Sequence, residues 1–193
     1  MVIYEYRYWK DALLKAASDL RRRRKQTRWV DASFARLEQR VMLGFYGVRK
    51  LRDSRRISDR LRYRSVPLDE FTPTGRTIDY LNRIDIDEIY DLDSPNATTK
   101  PLEFVCNQII YSYIFTPGFN EEGFLEDLFF ASDRQKDSKV FRISIDEIFS
   151  IFEEVGNNYP SNFSMTRLRQ GSREIVRIEV DRGRTSPSGY RTR

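Results

Sequence analysis

The feature that most restricts this fold is a pair of amphipathic helical patterns at the start of the chain, separated by only a few residues. Between about Tyr4 and Gln26, the apolar residues Trp9, Leu13, Ala16, Ala17 and Leu20 recur at the three- and four-residue spacing of one helix face. A second pattern runs from Asp31, a residue type suited to an N-cap, to about Arg56, with Phe34, Leu37, Val41, Phe45 and Val48 as its stripe. A connection this short makes the two helices antiparallel neighbours. Residues 1–58 therefore read as a helical hairpin that needs the rest of the chain to cover one side.

The remainder alternates between strand-like and helix-like stretches. "LRYRSVPLDEF" and "RIDIDEIYDL" read as strands, and "SPNATTKP" as a loop leading into a helix with Pro101 in its first turn. That helix carries Leu102, Val105, Cys106, Ile109, Ile110 and Tyr113 on one face and is ended by "TPGFNEEG". "FLEDLFFASD" and "KVFRISI" form a hairpin around "RQKD". Ser144 and Glu147 then supply a capping box for a helix from Asp146 to Val155, stopped by Gly156. The predicted class is α+β: a basic N-terminal antiparallel helical hairpin packed on a small, mostly antiparallel sheet with two further helices. Residues 1–160 make one domain, with the hairpin at 1–58 and an acidic α/β part at 59–160. A peripheral strand segment at 161–180 carries Val176, Ile178 and Val180 on one side, and 181–193 is a disordered basic tail.

Composition bears on function mainly by exclusion. The chain has 193 residues, enough to bury roughly 70% of its unfolded surface without covalent staples. It contains no histidine, which removes Ser-His-Asp and Cys-His catalysis and nearly all zinc chemistry. No leader-like segment and no apolar run near the length of a membrane span is present, and one cysteine forms no internal disulfide, so a cytoplasmic location with no membrane association is expected. No glycine-rich nucleotide motif occurs, and no cofactor is expected.

Charge is unevenly distributed. Residues 1–64 hold 19 Lys+Arg against 7 Asp+Glu, whereas residues 65–160 hold 7 against 19. Such asymmetry points either to an anionic partner or to two parts that neutralise each other. The basic residues Arg21, Arg22, Lys25, Arg28, Arg49, Arg52, Arg55, Arg56, Arg62 and Arg64 form the candidate anion- or nucleic-acid-binding set. The run Arg21–Lys25 spans more than one helical turn, so it wraps the helix rather than striping it. Arg21, Arg22 and Lys25 point outward, while Arg23 and Arg24 continue the apolar side and must leave the core or meet acids there. Arg60, Arg62 and Arg64 alternate, and on a strand would share a face. No helix-turn-helix, RRM, KH or zinc-finger pattern accompanies them, so base-specific readout has no support.

A second candidate surface lies in "VMLGFYGV", Val41–Val48, which is apolar nearly all round. Leu43 and Tyr46 point away from the core stripe, flanked by Arg36, Arg40 and Lys50. Burial within the same chain is the simpler reading; a protein partner or a second copy, making the chain a subunit of an oligomer or complex, is the alternative. Two acidic patterns complete the inventory. Asp85, Asp87, Asp91 and Asp93 share parity on a strand but lack an EF-hand's ligand spacing, and read as a solvated or Arg-paired face. Asp127, Asp133, Asp137 and Lys139 outline a PD-(D/E)xK nuclease skeleton, with Asp137 and Lys139 at a turn where polar residues are ordinary. Cys106 reads as a packed core residue. The leading expectation is a non-enzymatic binding or accessory protein, with no catalytic or metal-binding residues assigned.

Overall fold

The computed structural model describes residues 5–160 and, as backbone, residues 163–170, 173–180 and 184–185. Two long helices, α1 (Tyr6–Arg24) and α2 (Asp31–Asp53), form the expected hairpin. Contacts run in opposite directions along them: Trp9 meets Lys50, Leu13 meets Gly47, and Asp19 meets Arg40. The Glu5 side chain caps α1 by accepting a bond from the Arg7 amide. Asp31 is not the N-cap of α2: Val30 holds that position without a side-chain cap, and Asp31 is the first helical residue, favourable to the helix dipole there. The connection is held instead by Gln26, whose amide donates to Ser33 Oγ and whose carbonyl accepts from the Trp29 indole.

A five-stranded, wholly antiparallel sheet follows. Its strands are β1 (Ser65–Phe71), β2 (Asn96–Pro101), β3 (Ser112–Phe119), β4 (Leu125–Ser132) and β5 (Val140–Ser144), in the order β2-β1-β5-β4-β3. The two substantial helices beyond the hairpin are α5 (Leu102–Ile110) and α6 (Ile145–Asn157); α3 (Asp59–Arg62) and α4 (Ile86–Ile89) are single turns. Helices α1, α2, α5 and α6 share one core with a face of the sheet. Phe45 of α2 lies edge-on to Phe152 of α6 at 5.2 Å, and Phe104 of α5 edge-on to Phe141 of β5 at 5.3 Å. Phe45, Phe141 and Phe152, being fully buried, each contribute about 1.5–3 kcal/mol over the exposed state. The opposite face of the sheet is partly covered by residues 72–95, where Ile78, Ile86, Ile89 and Tyr90 pack on Phe71, Ile114 and Val140 as a second core. Short strands β6 (Asn158–Tyr159) and β9 (Arg184–Thr185) pair, as do β7 (Phe163–Gln170) and β8 (Arg173–Val180).

Several local expectations need correcting. "RIDIDEIYDL" is not a strand: Asp85 precedes α4, Asp87 lies within it, and only Tyr90 bridges to Pro73, so the four aspartates form no strand-borne comb. "SPNATTKP" is not a loop, because Asn96–Pro101 pair with β1 as an edge strand; long-range pairing overrode the turn-rich composition. Arg60 and Arg62 sit on α3, not on a strand with Arg64. Helix α5 stops at Ile110, and Tyr113 belongs to β3. The turn falls at Asn120–Gly123, where Asn120 Oδ1 accepts from the amides of Glu122 and Phe124 and Gly123 takes a φ of +78°. Gly156 does not stop α6 but lies inside it, pressed against Leu14 and the Lys10 carbonyl, where a Cβ has no room. The Ser144 cap is present, its hydroxyl accepting from the Glu147 amide at 3.1 Å. The expected tail, 181–193, lies outside the described residues except for Arg184–Thr185.

Candidate partner-docking face

The basic run is largely occupied within the chain. Arg21 pairs with Glu153 of α6 at 2.7 Å and covers the Phe149 ring; Arg24 pairs with Asp146 at the start of the same helix. Arg23 turns to Asp19 at 3.0 Å, joined there by Arg22 and Arg40. Burial alone would raise the Asp19 pKa, but the guanidinium of Arg23, with those of Arg40 and Arg22, holds it below the usual carboxylate range. Arg23 and Arg24 thus meet acids, one of the two outcomes their position allowed. The acidic middle of the chain reaches the end of α1 through α6.

The other basic candidates are dispersed. Arg52 is buried between Asp53 and Glu103, with Arg49 beside Asp53 at 3.7 Å. Arg55 pairs with Asp59, and Arg64 bridges Glu147 at 2.7 Å and Glu154 at 3.2 Å. Arg56 lies over the Tyr6 ring and Arg62 over Tyr63. Lys25 and Arg28, in the α1–α2 connection, make no ion pair among the described residues. These ten residues therefore occupy both ends of the hairpin and the α3–β1 segment, and six of them already face carboxylates.

The outward side of the hairpin differs. Leu43 is 60% exposed and Tyr46 39%, so the simpler reading of burial within the same chain does not hold. The reason is geometric: α1 and α6 pack where Val41, Gly44, Phe45 and Val48 are fully covered, and among the described residues no element lies over Leu43 and Tyr46 on the other side. Gly47 lets α1 approach closely, with Leu13 and Trp9 atoms 3.5 and 3.6 Å from where a Cβ would sit. That approach brings the Trp9 ring to 5.9 Å from Tyr46, and Lys50 Nζ lies 5.3 Å above the indole. Arg36, Arg40, Leu43 and Lys50 share one helical stripe, about 21 Å long at 1.5 Å per residue, crossed at the buried Gly47 by α1. Arg40 leans to Asp19 at 3.4 Å with its side chain half exposed; Arg36 has no ion pair among the described residues. The stripe is apolar at its centre and basic at both ends, with Asp19 of α1 as the carboxylate beside Arg40. The sequence pattern marked Leu43, Tyr46, Arg36, Arg40 and Lys50; Trp9, whose spacing matches the core stripe, is only partly buried and carried no signal of its place beside Tyr46.

The nuclease skeleton is not assembled. Asp127 lies opposite Ser144 on β5, and its neighbour Arg142 binds Asp69 at 2.8 Å and approaches Asp127 at 3.9 Å. These groups line an open groove of about 860 Å³ on the exposed half of the sheet. Burial there raises the Asp127 pKa, against the pull of Arg142. Lys139 instead pairs with Glu70, which alternates with Asp69 and so faces the other side of β1. Asp133 and Asp137 are both held by Lys136 in the β4–β5 turn. Among the described residues, no three His, Cys, Asp or Glu are placed to hold a metal ion. Cys106 is fully buried in the helix-side core, and burial pushes its thiol up to about 12. No helix among the described residues is long and apolar enough to cross a membrane.

The chain matches no family model, no curated protein and no solved structure. Its site is therefore defined by its own geometry.

Proposed function

We propose that this chain is a non-catalytic binding protein, a subunit or accessory factor that docks an acidic amphipathic segment of a protein partner on the outer face of α1 and α2. The observation that carries this reading is the exposed pair Leu43 and Tyr46, with the partly buried Trp9 ring beside Tyr46, bounded by Arg36, Arg40 and Lys50. An apolar centre with a cationic rim suits a helix that is apolar on one side and acidic along its flanks. Nucleic acid suits it less: phosphate binding needs clustered free cations, and most of the arginines of the basic run already face carboxylates. The absence of histidine and the raised, buried thiol of Cys106 supply no nucleophile–base pair for an enzyme. With its lone cysteine reduced, the protein is taken to work in the cytoplasm.

The test is fluorescence anisotropy of the full chain against two probe sets: acidic amphipathic helical peptides, and single- and double-stranded oligonucleotides. Peptide binding should weaken at least about tenfold in Leu43→Asp, a loss of about 1.4 kcal/mol or more. Oligonucleotide binding with a steep salt slope and indifference to Leu43→Asp would replace this reading with the nucleic-acid one.

A further inference from the structure

A separate apolar surface lies at the other end of α2, and it has two complementary parts. The first is a knob in the β1–β2 connection. Asp79 Oδ1 accepts from the amides of Leu81 and Asn82 at 2.7 and 3.2 Å, Asn82 Oδ1 accepts from the Asp79 amide at 2.8 Å, and Asn82 Nδ2 donates to the Thr77 carbonyl at 3.0 Å. Its base is anchored by Ile78 and Ile86 in the second core. This fixed turn presents Tyr80, Leu81 and Ile84 to solvent; Leu81, at 86%, is the most exposed large apolar residue among those described. A backbone already fixed by a hydrogen-bonded turn spares binding the cost of ordering the loop that carries these side chains.

The second part is an adjoining groove of about 270 Å³ between the start of α2 and the edge strand β3, floored by Phe34, Leu37, Phe115 and Pro117 with Ile84 and Tyr113 on its wall. Beyond it Phe34, Trp29 and Phe119 continue the apolar surface as a ring cluster with centroids 5.2–6.3 Å apart. The rim carries Glu38 on α2 and Arg83 on the knob. Arg83 stacks on Tyr80 at 4.2 Å but pairs with no carboxylate among the described residues, and Glu38 pairs with no cation.

We infer that this surface joins two copies of the chain, the Leu81 knob of each seated in the Phe34–Phe115 groove of the other. Knob and groove lie side by side, so a twofold axis between them satisfies both at once, and the contact closes rather than propagating. The same axis brings Arg83 of one copy toward Glu38 of the other, giving each unpaired charge an opposite partner. The exposed apolar side chains of the knob and ring cluster, Tyr80, Leu81, Ile84, Phe34 and Phe119, would form the centre of an interface of the usual size, about 800 Å² per partner. The contact is between side chains, not added strands: Pro117 lacks the amide that a neighbouring strand would need, and the register of β3 shifts between Ser112 and Ile114. This inference does not rest on the docking face proposed above.

The experiment is sedimentation velocity of the full chain from low to high micromolar concentration. The wild type should form a concentration-dependent dimer, and Leu81→Asp should raise its dissociation constant at least about tenfold. Glu38→Arg and Arg83→Glu should each weaken the dimer, and the double variant should recover affinity relative to both. Leu43→Asp should leave the dimer intact, which separates this surface from the outer face of the hairpin. All four positions are on the surface, and thermal melts confirm that each variant is folded. A wild type that stays monomeric throughout, or a dimer unaffected by Leu81→Asp and by both charge reversals, overturns the inference.

Discussion

The two faces of the helical hairpin carry similar residues and use them differently. On the inner face, Leu13, Leu20, Leu37, Val41, Phe45 and Val48 are fully covered, Gly44 gives way to the Phe152 ring, and even Lys10 is buried. On the outer face, one residue away along the same helix, Leu43 and Tyr46 face solvent beside arginines and a lysine. Hydrophobicity therefore does not separate core from surface in α2. What separates them is which side the sheet and α6 occupy, and apolar residues left on the uncovered side are the ones that call for a partner.

The contrast can be broken by substitution, and the largest effect is expected inside. Phe45→Ala removes a fully buried ring in contact with Phe152 and should cost about 3–5 kcal/mol in urea unfolding, whereas Tyr46→Ala next to it should cost far less. Equal losses at the two positions would mean that the faces are not distinct.

Lys10 offers a second test, through pH. Its ammonium donates to the Asn158 carbonyl and sits 4.1 Å from the Tyr159 ring centroid. Burial first, and the nearby Arg56 second, lower its pKa from 10.5 to about 8. A lysine lowered in the folded state loses its proton there before the unfolded chain does. Between about pH 8 and 10.5 the unfolded state thus binds more protons, and stability rises with pH. At about 1.36 kcal/mol per pKa unit the gain is on the order of 3 kcal/mol at most. Lys10→Met should flatten this rise; parallel wild-type and variant profiles would show that the buried charge is not its source.

Gly44→Ala is expected next in size. Its Cβ would enter the Phe152 ring, and overpacking of this kind costs about 1–3 kcal/mol. Smallest is Leu43→Asp, within about 0.5 kcal/mol of wild type in the isolated chain, because no neighbour covers the side chain. A large loss of melting temperature in Leu43→Asp would show that the outer face supports the fold rather than a partner.

Much of the architecture was legible because it rests on local periodicity. The hairpin, the core face of α5, the β4–β5 hairpin and the Ser144 cap all follow from spacing and from residue types with one preferred role. The misreadings fall where long-range pairing decides. Asn96–Pro101 has the composition of a loop and becomes a strand because β1 offers it a complete ladder. Asp85–Asp93 looks like an alternating strand, but Ile86–Ile89 within it fold as a helical turn, which lets Ile86 and Ile89, three apart, reach the second core together. The candidate site divided in the same way. Leu43, Tyr46 and their flanking cations were visible as a second apolar side; Trp9 was not, because a residue at a core spacing stays only partly buried through where its neighbours end.

By itself the sequence determined the α+β class, the pairing of two basic helices, and the absence of histidine chemistry, since these depend on composition and on repeats of three to four residues. Only the tertiary structure decided what the charges do. Arg21 and Arg24 meet Glu153 and Asp146 more than 120 positions away, and Arg64 meets Glu147. A charge pattern along a chain states how many ions there are and of which sign; which of them stand within a few ångströms, and so whether a basic run is free to bind or already neutralised, is set by how the elements pack.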